Sequence, residues 1–156
     1  VEALVVEEDT SLILSTRKAV EKSEKSTGQL VHDSLQTISD SPIPGMALVR
    51  GETPYRFLAI IHDFNLTPSW RIEWVKDALD DIFETADRYS LKTMSLPLLA
   101  TVHGSLAIEE YINILFDVLD NRYLYHLNTI FLVVSEYDID EVINASSERL
   151  NQPLSD

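Results

Sequence analysis

The sequence predicts an α/β fold, a three-layer α/β/α sandwich built on a mostly parallel, mixed sheet. Three observations carry this. Short apolar runs of strand length recur along the chain, and longer segments with apolar residues at helical spacing stand between most of them. Strands separated by helices imply parallel pairing with helices on both faces of the sheet. The 156 residues and 45% hydrophobic content suit a single domain, 1–156, and no internal repeat or low-complexity linker divides it.

Residues 3–6 form a short apolar strand, which the acids Glu7, Glu8 and Asp9 end. Three consecutive acids read as a solvated turn rather than a cation site. Residues 15–25 are strongly charged, Gly28 breaks them, and Leu30, Val31, Leu35 and Ile38 give a short helix one apolar stripe. Pro42 and Pro44 make 39–45 a loop, and 46–50 reads as a strand near an edge. Residues 57–61 are the second strong strand, ending in His62 and Asp63. Adjacent strand residues point to opposite faces, so these two are not expected to pair. Thr67 then starts a helix with Pro68 at its first position, where a missing N–H costs little. Val75, Leu79, Ile82, Phe83 and Ala86 mark its buried face.

The segment 93–119, TMSLPLLATVHGSLAIEEYINILFDVL, organises the rest. An apolar strand at 94–99 leads into the loop 100–104, Ser105 caps the next helix, and Ile108, Ile112, Leu115, Phe116 and Leu119 form its core face. In open α/β sheets the loop leaving such a strand is where ligands sit. Residues 129–135, TIFLVVS, are the most continuously apolar strand and are placed at the sheet centre. Asp138 or Asp140 caps the last helix, which turns Val142, Ile143 and Leu150 inward until Pro153 ends it.

The formal net charge of −14 argues against a basic face for nucleic acid. No run is long and apolar enough to span a membrane as a helix. The absence of cysteine removes disulfides and thiolate chemistry, and the expected location is cytoplasmic. With four glycines, at 28, 45, 51 and 104, neither a P-loop nor a dinucleotide fingerprint can be written. His32 and His126 have no partner at metal-ligand spacing, and Ser105 lacks the flanking pattern of a nucleophile elbow.

Several stretches resemble the macro domain, an α/β module that binds ADP-ribose. Pro44-Gly45-Met46-Ala47 before a strand, the strand FLAIIH at 57–62 ending in histidine, and LPLLAT at 96–101 each match a family segment. Residues 2–6 resemble the strand that enters the family's asparagine-rich loop, and one or more earlier strands of the family are expected outside this chain. The resemblance implies a cleft at the carboxyl ends of the strands. Any ligand there would meet Asp9, His62, Thr101, Val102, His103, Gly104 and Ser105. Asp9 stands where the family has an asparagine on the ribose, and Val102 stands where the second phosphate loop has glycine. Glycine permits positive φ and close approach to a phosphate, whereas valine there is strained. Glu7 and Glu8 would repel a diphosphate.

The expected function is a non-catalytic macro-like domain that has lost the usual ADP-ribose site and serves in protein contact or self-association as a homodimer. The alternative is a divergent binder or hydrolase of ADP-ribose or a related nucleotide metabolite, using Asp9, His62 and His103. An accessory domain of a larger polypeptide is a third reading, by resemblance to the N-terminal domain of leucine aminopeptidases. No catalytic residue, metal or cofactor is assigned.

Overall fold

A computed structural model describes residues 1–14 and 42–153. The charged stretch at 15–25, the helix expected over 30–38, and His32 lie outside the described residues. Among the described residues eight elements follow in order: β1 (Ala3–Asp9), β2 (Ala47–Arg50), β3 (Tyr55–His62), α1 (Ile72–Arg88), β4 (Thr93–Pro97), α2 (Ile108–Asp120), β5 (Thr129–Val133) and α3 (Ile139–Asn151).

The described residues form a sheet of five strands in the order β2-β3-β1-β4-β5. Among the described strands only the β2–β3 pair is antiparallel; β3, β1, β4 and β5 run parallel. The mixed, mostly parallel sheet expected from the sequence is present, with β2 at an edge. Gly45 supplies the turn into β2 at φ +92°, a conformation that costs glycine least, and its N–H donates to the Ile60 carbonyl at 2.7 Å.

Among the described residues, α1 and α2 pack on the sheet face that carries Ala3, Val5, Phe57, Ala59, Ile61, Met94 and Leu96, and α3 packs on α2 and joins the same core through Val142 and Ala145. Alternate residues of each strand reach this face, as the period of two requires. Helix α1 lays down Val75, Ala78, Leu79, Ile82, Phe83 and Ala86, and α2 adds Tyr111, Ile112, Ile114 and Leu115. Burying each of the larger side chains stabilises the fold by about 1.5–3 kcal/mol. The opposite face carries a smaller cluster of Leu12, Leu48, Leu58 and Ile60.

Several expectations are corrected here. Strand β1 continues through Glu7 and Glu8 to Asp9, because their carboxylates find partners inside the fold. Strand β5 is an edge, with Phe131 and Val133 exposed; its apolar character spans both faces, which composition alone reads as central burial. Helix α1 starts at Ile72, after a loop in which the Asp63 N–H donates to the Ser69 carbonyl at 2.7 Å, so Thr67 and Pro68 lie outside the helix. Ser105 does not cap α2, whose N-cap is Ala107; the backbone holds its first turn through the Tyr111 N–H on the Ala107 carbonyl at 3.0 Å. Asp138 occupies the N-cap position of α3 without a side-chain cap bond. That helix buries Val142 and Ala145, whereas Ile143 and Leu150 face outward. No helix among the described residues is long and apolar enough to cross a membrane.

Candidate functional site at the ends of the central strands

Three parallel neighbours, β3, β1 and β4, end at one edge of the molecule. Ala3, Val5 and Glu7 share a face by alternation, so Glu7 extends an apolar row with a carboxylate. Between Glu8 and Asp9 the register with β3 slips by one residue, and Asp9 aligns with His62 rather than Ile61. Such a bulge re-aims a side chain. Here it brings the wholly buried His62 round to Glu7, whose Oε2 lies 2.7 Å from Nε2 of the ring.

The Glu7 carboxylate serves both neighbours. Its Oε1 accepts the N–H of Ala100 at 2.7 Å, so one side chain ties β1 to β3 and to the loop after β4. A carboxylate only accepts, so Nε2 of His62 carries the proton between them. In the neutral ring Nδ1 then accepts from the Ser69 hydroxyl, 3.2 Å away. Phe64 stacks over the imidazole at 5.5 Å between centroids. The chain Ser69–His62–Glu7–Ala100 leaves none of the four groups idle.

Asp9 is also wholly buried. Its Oδ1 accepts the N–H of Ser11 at 2.7 Å, and its Oδ2 accepts those of Ile13 and Leu14 at 3.1 and 2.7 Å. The acids at 7–9 are therefore structural groups of the strand end and not a solvated turn. Among the described residues no group of three or more acids and histidines is placed to hold a metal ion.

In the loop after β4 the residue at positive φ is Ala100, at 63°, and Val102 is not among the residues in that region. The strain expected at Val102 falls on Ala100, whose amide must turn inward to reach Glu7. The Thr101 hydroxyl donates to the Leu98 carbonyl at 2.8 Å, and the Leu106 N–H donates to the Ala100 carbonyl at 3.2 Å. Gly104 is required for space: a Cβ there would sit 2.6 Å from the Ala100 carbonyl oxygen and 2.9 Å from the Trp70 ring. Val102 is 79% exposed, and His103 and Ser105 are exposed with it. Beneath the loop, the Tyr111 hydroxyl donates to the Pro97 carbonyl at 3.0 Å. Burial pushes its phenol up; the bond from Leu99 opposes this in part, and the charge of Glu7 adds to the rise.

The expected site residues thus divide. Asp9 and His62 share a register position, yet each is committed to internal partners. Thr101 and Gly104 shape the loop, and Val102, His103 and Ser105 face outward. Glu7 and Ser69 are not among the expected site residues. The alternation Ala3, Val5, Glu7 is the signal that would have found the first of them.

No protein-family model and no curated protein matches the sequence. Solved structures do match the fold. The chain is similar to the macrodomain of Oceanobacillus iheyensis in a mutant form with ADPR, at 12% identity and a TM-score of 0.72, covering 97% of this chain and 87% of that one. The same macrodomain with ADP gives 14% identity and a TM-score of 0.71, over 96% of this chain and 84% of that one. The macrodomain of Thermus aquaticus DarG gives 19% identity and a TM-score of 0.64, over 86% of this chain and 90% of that one. The fold is that of a macrodomain, far diverged in sequence.

Proposed function

We propose that this chain keeps the macrodomain fold without turning over ADP-ribose, and that it works as a module for protein contact or self-association. The observation that carries this reading is the Glu7 carboxylate seated between His62 and the Ala100 amide. An amide at the mouth of a loop attracts a phosphate only while it is free. Here the Ala100 amide is bonded to a carboxylate, and Asp9 holds the amides of Ser11, Ile13 and Leu14 in the same way. A phosphate charge about 4 Å from Glu7 would be repelled by about 4 kcal/mol at an effective dielectric of about 20. At the same end of the sheet, Ile13, Ile43, Phe64, Leu66 and Val102 are exposed, which suits contact with apolar groups better than a diphosphate.

Calorimetric titration with ADP-ribose at low salt, repeated at a second temperature to catch a silent enthalpy, tests this reading. The expected result is no heat at millimolar ligand. A micromolar dissociation constant overturns it. Such a constant would favour the second reading, a divergent binder of ADP-ribose or a related nucleotide, which draws its support from the neighbours solved with ADPR and ADP.

A further inference from the structure

At the opposite end of the strands, the loop between α2 and β5 presents two tyrosines on a fixed backbone. Tyr123 and Tyr125 are 77% and 78% exposed, and their rings meet edge to face at 4.6 Å between centroids. The residues around them are tied down. The Arg122 guanidinium donates to Asp80 at 2.7 and 3.0 Å, Leu124 packs on the core, and Leu127 is buried. One carboxylate, Asp87 of α1, accepts the N–H groups of Tyr125, His126 and Leu127 at 3.2, 2.6 and 3.4 Å. The loop is therefore held from both sides while the two aromatic faces stand in water.

Large aromatic faces presented on a pre-organised backbone bind with little further loss of entropy. The local charge selects among ligands that use such faces. Two guanidinium groups beside the loop are each shared by two carboxylates: Arg122 by Asp80 and Glu84, and Arg149 by Asp117 and Asp120. Each of these two clusters keeps an excess negative charge, whereas Asp87 is followed by Arg88. Phosphate backbones are disfavoured here, and so is a second copy that would set the same acidic clusters against each other. Proline rings lie flat against tyrosine faces in polyproline II recognition, and arginine adds cation–π attraction and pairs with carboxylates.

We propose that Tyr123 and Tyr125 form a docking ridge for a proline-rich, basic, extended segment of a partner protein. The surface lies away from the cleft, so it stands whatever the cleft binds. The test is a backbone amide NMR titration of the full chain with a blocked peptide of repeated Arg-Pro-Pro, and with Glu-Pro-Pro as its acidic counterpart. The expected result is saturable shifts at 121–127 with the basic peptide, with at least tenfold weaker response to the acidic one. Tyr123→Ala/Tyr125→Ala lowers the affinity at least tenfold, while Tyr123→Phe/Tyr125→Phe, which keeps the ring faces, retains it. Absence of saturation at this loop, an equal response to both peptides, or unchanged affinity in the alanine variant overturns the proposal. Tyrosine-dependent dimerisation by light scattering, or shifts of the same residues with a neutral oligosaccharide in place of the basic peptide, overturns it too. Should the alanine variant not fold, the comparison of the two peptides on the unaltered chain decides.

Discussion

Glu7 Oε2 lies 2.7 Å from Nε2 of a His62 that has no exposure to solvent, across the point where β1 and β3 slip register. The same carboxylate accepts the Ala100 amide. One side chain therefore fixes the relative position of three strand ends. Removing it leaves a buried imidazole and a buried amide without their acceptor.

That pairing sets the first expectation. Glu7→Ala should cost about 3–5 kcal/mol of stability, the range for breaking a buried pair from one side. Glu7→Gln should cost less, about 1–2 kcal/mol, because its carbonyl still accepts from Ala100 and its amide can donate to a ring with the other tautomer. Urea unfolding measures both. A Glu7→Ala variant within about 0.5 kcal/mol of the parent, the scale of an ordinary surface change, would contradict this role.

Gly104 gives a steric expectation. The Ala100 carbonyl that a Cβ would strike belongs to the backbone and is itself bonded to the Leu106 N–H. Gly104→Ala must therefore move the loop or the Trp70 ring, at a cost of about 1–3 kcal/mol. A lowered thermal midpoint with altered tryptophan fluorescence is the expected signature. An unchanged midpoint would mean the loop has slack.

These two positions show what the sequence made legible. From β2 onward the strand–helix order, the edge position of β2 and the buried face of α1 follow from period and length, which local chemistry dictates. The loop after β4 is legible for the same reason, but it runs from Leu98 to Ala107 rather than over 100–104. The role of Glu7 was hidden because acids at a strand end read as solvated, and only the bulge against His62 supplies the partner that makes burial tolerable. The edge position of β5 was hidden too, since Phe131 and Val133 look like core until the strand order is known. Ser69 reaches His62 only through the fold of the 63–70 loop, which no local pattern encodes.

Asp87 yields an acid-side expectation. Desolvation pushes its carboxyl up, but the amides of His126, Tyr125 and Leu127, together with the charge of His126, outweigh this and hold it below the usual carboxylate range. A depressed folded value means the stabilisation is present above the unfolded value of about 4 and is lost as pH falls through the folded one. The protection factors of the amides at 125–127, which take out the intrinsic pH dependence of exchange, should therefore fall on acidification below about pH 4, and Asp87→Asn should show low protection at every pH. Protection factors at those amides that ignore both pH and the substitution would show that Asp87 does not hold the loop.

Tyr111 yields the alkaline counterpart. Its phenol is raised by burial in the folded state, so its contribution is fully present below the unfolded value of about 10 and is lost as pH rises from there. Spectrophotometric titration should show exposed tyrosines ionising first and Tyr111 ionising with unfolding. Tyr111→Phe, which removes the bond to the Pro97 carbonyl, should cost about 1 kcal/mol at neutral pH. Ionisation of every tyrosine in a single step with the fold intact would contradict the burial.

The most direct measurement of the central claim is the NMR signal of the Ala100 amide during titration with ADP-ribose. With its N–H committed to Glu7, the signal should stay in place up to millimolar ligand. A saturable shift of that amide at micromolar ADP-ribose would show the diphosphate displacing the carboxylate, and would contradict a cleft closed by Glu7.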